Sequence, residues 1–130
     1  MLSIPGQVKI FLGVAPVDMR KSFDTLAALV SQVLEADPLS GHLFVFRGKR
    51  ADRVKLLYWA GDGFAIWYKR LESGTFRFPE AREGQVSLSI SATDLAMLLD
   101  GVDLASVKRR RRYRLPDVRP SEARVAGHAV

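Results

Sequence analysis

Three short apolar segments separated by turns occupy the middle of the chain, and they constrain its fold most strongly. They cover residues 43–46, 53–59 and 64–71, and they are rich in β-branched and aromatic residues. The sequence Gly61-Asp62-Gly63 between the last two accepts positive φ angles readily and predicts a hairpin. Residues 43–46 are apolar on both faces, which predicts a central strand. The middle of the chain therefore predicts a mostly antiparallel sheet.

Two helical patterns flank this predicted sheet. Apolar residues recur every three or four positions in 23–34, which predicts an amphipathic helix of about four turns. Asp18 or Ser22 is expected to cap its first turn with a side-chain oxygen. Residues 91–94 have the spacing of a capping box and predict a second, shorter helix. Gly101 is expected to end that helix in a left-handed conformation.

The remaining segments are short and complete the predicted fold. Residues 8–12 alternate and predict a first strand, and residues 75–78 predict a short strand after a turn. Residues 85–90 are a further strand or an extended approach to the second helix, and residues 102–107 are a short turn of helix or an extended linker. The predicted class is α+β: a mostly antiparallel sheet with one main helix on a face, a short C-terminal helix and a basic tail.

The net charge of the chain, +6, lies almost entirely in its last residues. Residues 1–106 contain 12 Lys and Arg and 12 Asp and Glu, whereas residues 107–130 contain 8 and 2. We therefore predict a single α+β domain over 1–106 and a basic, flexible tail over 107–130. Cations at this density repel one another and indicate a polyanionic partner, most often nucleic acid. The predicted DNA contacts of the tail are Lys108, Arg109, Arg110, Arg111, Arg112 and Arg114.

A second basic cluster lies between two predicted strands, where five cations accompany the single carboxylate of Asp52. We interpret it as a phosphate-contacting loop that acts with the tail. The alternative is a solvated hairpin whose charges protect its strands from aggregation. The predicted DNA contacts of this loop are Arg47, Lys49, Arg50 and Arg53, and Lys55 completes the cluster. Arg20 and Lys21 form a third pair, which indicates a partner anion or pairing with Asp18 or Asp24.

Several aromatic side chains flank the predicted hairpin turn. Aromatic rings beside cations stack on unpaired bases in some proteins, but they are more often cross-strand core pairs. We expect Trp59, Phe64 and Tyr68 to lie in the core. Tyr58 and Trp67 are expected to reach the surface.

Catalytic and metal-binding patterns are weak. The chain has two histidines and no cysteine, and it lacks the spacings of known metal or nucleophile motifs. Asp18, Asp24, Asp52 and Asp62 are candidates for a small metal-dependent nuclease, but helix caps, turns and neighbouring cations explain them better. We predict no enzyme activity, no metal and no cofactor. The first residues are unlike a signal peptide and no long apolar run occurs, so we expect a cytoplasmic protein without a membrane partner, associated with the nucleoid when bound to DNA.

Three separated motifs together resemble a known family. Residues 18–24, 40–47 and 61–72 are similar to the TnpB accessory proteins of the "sixty-six" class of bacterial insertion sequences. The likeness extends from about Val8 to Arg114. The resemblance implies a non-catalytic factor that assists a separate transposase, with DNA at the ends of the element and other transposition proteins as partners. A nuclease, or a protein-interaction module without DNA binding, remains the alternative.

Overall fold

The computed structural model describes residues 7–103 and 108–109 of the chain. These residues contain seven strands and two helices. They are β1 (Ile10–Gly13), α1 (Phe23–Gln32), β2 (Leu43–Arg47), β3 (Arg53–Trp59), β4 (Phe64–Arg70), β5 (Ser87–Ile90), α2 (Ala92–Asp100), β6 (Val102–Asp103) and β7 (Lys108–Arg109).

The main sheet has five strands in the order β4-β3-β2-β1-β5. β2 is its central strand, as predicted. β1 and β2 are parallel and are joined by α1, whereas the other three neighbouring pairs are antiparallel. β6 and β7 form a separate antiparallel pair. The structure therefore confirms an α+β fold with a mostly antiparallel sheet.

The apolar residues on the two faces of β2 are explained by the two helices, which cover opposite faces of the sheet. Side chains alternate between the faces along each strand. The cluster on the α1 face contains Leu26, Val30, Phe44, Phe46 and Leu57. The cluster on the α2 face is built around Ile10, Leu12, Leu43, Val45, Val54, Leu56, Leu95, Leu98 and Leu99. Sequence analysis assigned only the first helix to a face, and the second helix supplies the other layer.

The observed helix caps agree with the predicted ones in α2 but not at the start of α1. The Ser91 hydroxyl accepts a hydrogen bond from the Asp94 backbone N–H at 3.0 Å, and Gly101 ends α2 with a φ of 90°. At α1, Ser22 is the N-cap residue but its side chain makes no cap hydrogen bond. The Asp18 carboxylate instead accepts from the Arg20 backbone. The predicted side-chain cap of α1 is therefore wrong.

Two other predicted segments also differ. Residues 75–78 form no strand, and the backbone N–H of Phe76 instead donates to Ala51 at 2.7 Å while its ring is buried. This hydrogen bond and the buried ring hold the segment against the β2–β3 loop although it forms no strand. For residues 102–107 the helical alternative is wrong, because Val102–Asp103 form a strand and are extended, as the other alternative required. The predicted domain boundary at 106 falls in residues 104–107, outside the described part. Neither described helix has the length and apolar run needed to cross a bilayer.

Candidate nucleic-acid interface

The loop between β2 and β3, residues 48–52, forms an exposed basic turn that we call the hairpin tip. The backbone N–H of Ala51 donates to the carbonyl of Gly48 at 3.0 Å, so Lys49 and Arg50 occupy the two middle positions of the turn. Ala51 has a φ of 60°. Both cations are exposed, and the tip therefore presents two adjacent positive side chains to solvent.

Backbone hydrogen bonds hold the hairpin tip against the segment that follows β4. The N–H of Leu71 donates to the carbonyl of Asp52 at 2.8 Å, and the N–H of Phe76 donates to the carbonyl of Ala51 at 2.7 Å. Phe76 is itself buried. The position of Lys49 and Arg50 is therefore fixed by the fold rather than by the turn alone.

Gly48 brings the other side of the hairpin tip against the loop before α1. Gly48 is buried, and a Cβ atom at this position would lie 2.9 Å from the Cγ of Met19. The close approach requires a residue without a side chain. It places the loop that carries Arg20 and Lys21 beside the tip.

Arg47 is turned toward the fold more than the other predicted DNA contacts. Its Nε and Nη2 atoms donate to the carbonyl of Val14 at 3.1 and 2.8 Å. Its guanidinium carbon lies 5.3 Å from the centroid of the Phe78 ring, and the residue is half-buried. Arg47 therefore links β2 to the segments after β1 and before β5, and only part of its guanidinium remains for a phosphate.

A second cationic area lies on the α1 face of β3 and β4, and we call it the Tyr68 surface. It comprises Arg53, Lys55, Tyr68 and Arg70. In the strand register, Arg53 lies opposite Arg70 and Lys55 opposite Tyr68, so all four side chains belong to one face. This surface adjoins the hairpin tip at the start of β3.

Lys55 is the buried member of the Tyr68 surface, with 7% of its surface exposed. Its Nζ donates to the carbonyl of Lys21 at 2.7 Å and lies 4.7 Å from the centroid of the Tyr68 ring. No carboxylate of the described residues lies within salt-bridge distance of it. The ammonium is thus held by a carbonyl and an aromatic ring, and its positive charge is not neutralised locally.

The Asp18 carboxylate neutralises one exposed cation near the tip. It binds Arg20 with an Oδ2–Nη2 distance of 2.7 Å, as one of the predicted pairings required. Hydrogen bonds from the Arg20 side chain and backbone hold the pKa of Asp18 well below its usual range. The same pair raises the pKa of Arg20. Asp18 is therefore ionised at neutral pH and offsets the Arg20 charge.

The aromatic residues are distributed differently from the prediction. Tyr68 was expected in the core, but 47% of its surface is exposed. Tyr58 and Trp67 were expected at the surface, but they pack against the α2-face cluster, because their strand positions alternate onto the face that α2 covers. Trp59 and Phe64 do form the predicted cross-strand pair, with ring centroids 5.1 Å apart.

The candidate nuclease carboxylates do not form a cluster that could hold a metal ion. Among the described residues, no group of three or more His, Cys, Asp or Glu side chains is arranged to hold a metal ion. Lys21, between Asp18 and Asp24, contacts Lys55 near the start of β3. Asp62 lies in the turn beyond the other end of β3, a strand of seven residues that spans about 20 Å. Asp62 therefore cannot share a two-metal site with the other candidates.

The predicted contacts of the tail fall largely outside the described residues. Lys108 and Arg109 form β7, whose backbone pairs with β6. Arg110, Arg111, Arg112 and Arg114 lie beyond the described part. The DNA contacts assigned to all six tail cations therefore stay predictions, as do those assigned to Arg47, Lys49, Arg50 and Arg53.

The fold defines a small α+β protein with cations gathered at one end of its sheet, and comparison with known proteins identifies its family. Residues 8–109 match the family model described as IS66 Orf2 like protein. The chain belongs to this TnpB family of insertion-sequence accessory proteins, which confirms the resemblance found in the three motifs.

Two similar proteins come from Sinorhizobium fredii (strain NBRC 101917 / NGR234). The first, "Uncharacterized protein y4jC", is 42% identical over 103 residues, which cover 79% of this chain and 86% of that protein. The second, "Uncharacterized protein y4hO", is 38% identical over 103 residues, which cover 79% of this chain and 88% of that protein. No solved structure matches the chain significantly.

Proposed function

We propose that this protein is a non-catalytic accessory factor for the transposition of an insertion sequence, and that it binds duplex DNA through the hairpin tip and the basic tail. Family membership supports the connection with transposition. The observation that carries the DNA-binding part is the hairpin tip, where the fold holds Lys49 and Arg50 exposed at adjacent positions. A separate transposase of the same element supplies the strand-transfer chemistry in this proposal.

The division of charge supports a contact with phosphates rather than with bases. Arg and Lys side chains bind the DNA backbone without reading its sequence, and the tail adds six such cations between Lys108 and Arg114. Arginine also offers a planar fork of donors to phosphate oxygens. Sequence specificity, where the element requires it, then comes from partner proteins such as the transposase.

Removal of the two tip cations tests the proposal. The variant Lys49→Ala/Arg50→Ala should bind a random duplex several-fold more weakly at low salt. Its plot of log K against log salt should be less steep by about two, because each lost phosphate contact removes about 0.9 from the slope. Fluorescence anisotropy over a salt series measures both quantities.

Lys9→Ala is the matched control for this experiment. Lys9 is an exposed lysine directly before β1, at the end of the parallel β1–β2 pair opposite to the hairpin tip. Its removal should leave the slope unchanged. The tip variant loses two cations and Lys9→Ala loses one, so a Lys9 effect at least half as large as the tip effect would mean that the tip contributes only net charge. Unchanged binding by the tip variant would contradict the proposal.

A further inference from the structure

Tyr68 is an exposed aromatic residue on the α1 face of β4, between packed apolar residues and exposed cations. Along β4, Phe64 and Ile66 pack against the α1-face cluster, and Tyr68 follows them on the same face. Nearly half of its surface is exposed, which shows that α1 does not extend over it. The Tyr68 ring is therefore uncovered, whereas Phe64 and Ile66 on the same face of β4 are packed.

Lys55 and Arg53 contact the Tyr68 ring from within the fold. The Lys55 ammonium lies over the ring at 4.7 Å from the centroid, and Lys55 itself is buried. The exposed area of Tyr68 therefore belongs to the opposite face and the edge. Arg53 Nη1 donates to the Tyr68 hydroxyl at 3.4 Å, which restrains the outer end of the ring. The ring is a supported platform with one open face.

Positive charge surrounds this platform in excess. Arg53 and Arg70 lie directly opposite each other, an arrangement that repels in a sheet. Glu72 pairs with Arg70 at 3.1 Å, whereas no carboxylate of the described residues lies within salt-bridge distance of Arg53 or Lys55. The Tyr68 surface therefore combines three cations with a single carboxylate, and a phosphate between Arg53 and Arg70 would relieve the repulsion.

We propose that the Tyr68 surface binds a nucleotide of single-stranded DNA, with the base stacked on the open face of Tyr68 and the adjoining phosphate between Arg53 and Arg70. This inference rests on the proposed function and adds to it a preference for unpaired DNA. In a duplex the faces of each base are covered by its neighbours, so only an unpaired base can use the ring. Aromatic platforms beside cationic grooves bind single strands in this way.

The experiment compares Tyr68→Leu and Tyr68→Phe in the full chain. The probes are a labelled oligothymidylate of about 12 nucleotides, within the usual range of site sizes, and a duplex of the same length. Tyr68→Leu keeps bulk but removes the π face, so it should lose about tenfold in affinity for the single strand. Tyr68→Phe keeps the face and should stay within about twofold of the original chain. Neither substitution should change duplex binding appreciably.

Three outcomes separate this inference from the proposed function. Equal loss of single-strand and duplex binding in Tyr68→Leu, or no loss of either, overturns the inference while duplex binding by the original chain sustains the proposed function. Failure of the original chain to bind either probe overturns both.

Where Tyr68→Leu does not fold, ultraviolet crosslinking of the original chain to an oligonucleotide containing 5-iododeoxyuridine tests the inference instead. A crosslink assigned to Tyr68 supports the inference, and crosslinks confined to other residues overturn it.

Discussion

At the scale of single residues, two cations near the hairpin tip differ in burial and in whether a carboxylate pairs with them. The exposed Arg20 is paired with Asp18, whereas the buried Lys55 has a carbonyl and an aromatic ring as its partners. Burial of a charge is costly unless hydrogen bonds compensate it. The fold thus retains unneutralised positive charge beneath Tyr68 and neutralises a charge that solvent already screens. This contrast is expected of a surface that receives an anion.

The Asp18–Arg20 pair gives a prediction at this scale. Asp18→Asn should free the Arg20 side chain, which is 91% exposed, and raise the affinity for duplex DNA several-fold at low salt. The pKa of Asp18 is lowered from its ordinary value of 3.8, so the carboxylate is charged above that pH and its effect is lost only as the pH falls through the lowered pKa. The gain should therefore be constant from about pH 5 to 8.

Asp62→Asn is the matched control for Asp18→Asn. It removes the same charge in the turn at the far end of β3, and it should change the affinity less than Asp18→Asn does. The pair of variants also separates the present account from the nuclease alternative. Mg²⁺-dependent nicking of DNA that either substitution abolishes would favour the nuclease, and a lower affinity in Asp18→Asn would contradict the role assigned to Arg20.

At the scale of elements, the β2–β3 hairpin depends on neighbours that are distant in the chain. Its tip is hydrogen-bonded to the segment after β4, and its first loop residue, Gly48, packs on Met19. Two separate loops therefore determine where Lys49 and Arg50 are presented. A change in either loop should move the tip even though it leaves the charges intact.

Gly48→Ala tests this dependence. The added Cβ would lie 2.9 Å from the Met19 Cγ, and such overpacking costs about 1–3 kcal/mol of stability. The double variant Gly48→Ala/Met19→Ala removes the opposing side chain. Its loss of stability relative to the original chain should therefore be smaller than the sum of the losses in the two single variants. Chemical denaturation of the four chains gives the coupling energy. Strict additivity would mean that Met19 does not set the position of Gly48.

Most elements could be predicted from the sequence because their signals are local. Turn residues and alternation located β3, and β4 to within one residue, and the spacing of apolar residues located α1. The strand predicted for residues 75–78 was wrong, because alternation alone does not distinguish a strand from an extended segment held by a buried ring and a hydrogen bond from Phe76 to Ala51. The sheet face that α2 covers could not be predicted from the sequence either, because it depends on where the chain returns after β5.

The prediction that Tyr68 lies in the core was wrong for a related reason. Alternation placed it correctly on the face of Phe64 and Ile66, but only the length and position of α1 determine how far that face is covered. A signal was nevertheless present. The Gly61–Gly63 turn fixes the register of β3 and β4, and that register places Arg53 opposite Arg70 beside Tyr68. Counting outward from the turn would have revealed an aromatic residue among cations.

At the scale of the whole molecule, we propose that DNA binding is divided between the folded part and the charged tail. Residues 1–106 carry no net charge, and the excess of cations follows them. The folded part positions a few cations at one end of the sheet, whereas the tail supplies many cations in sequence. In the proposed function, the first arrangement would fix where DNA lies on the domain, and the second would raise the strength of the contact.

The salt dependence of duplex binding tests this division most directly, by comparing the full chain with a chain that ends at Ser106. If all six cations between Lys108 and Arg114 contact phosphates, the plot of log K against log salt should be less steep by about five in the shortened chain. A weaker binding that Lys49→Ala/Arg50→Ala reduces further should remain. A shortened chain that binds as tightly as the full chain at low salt, with the same slope, would contradict the account.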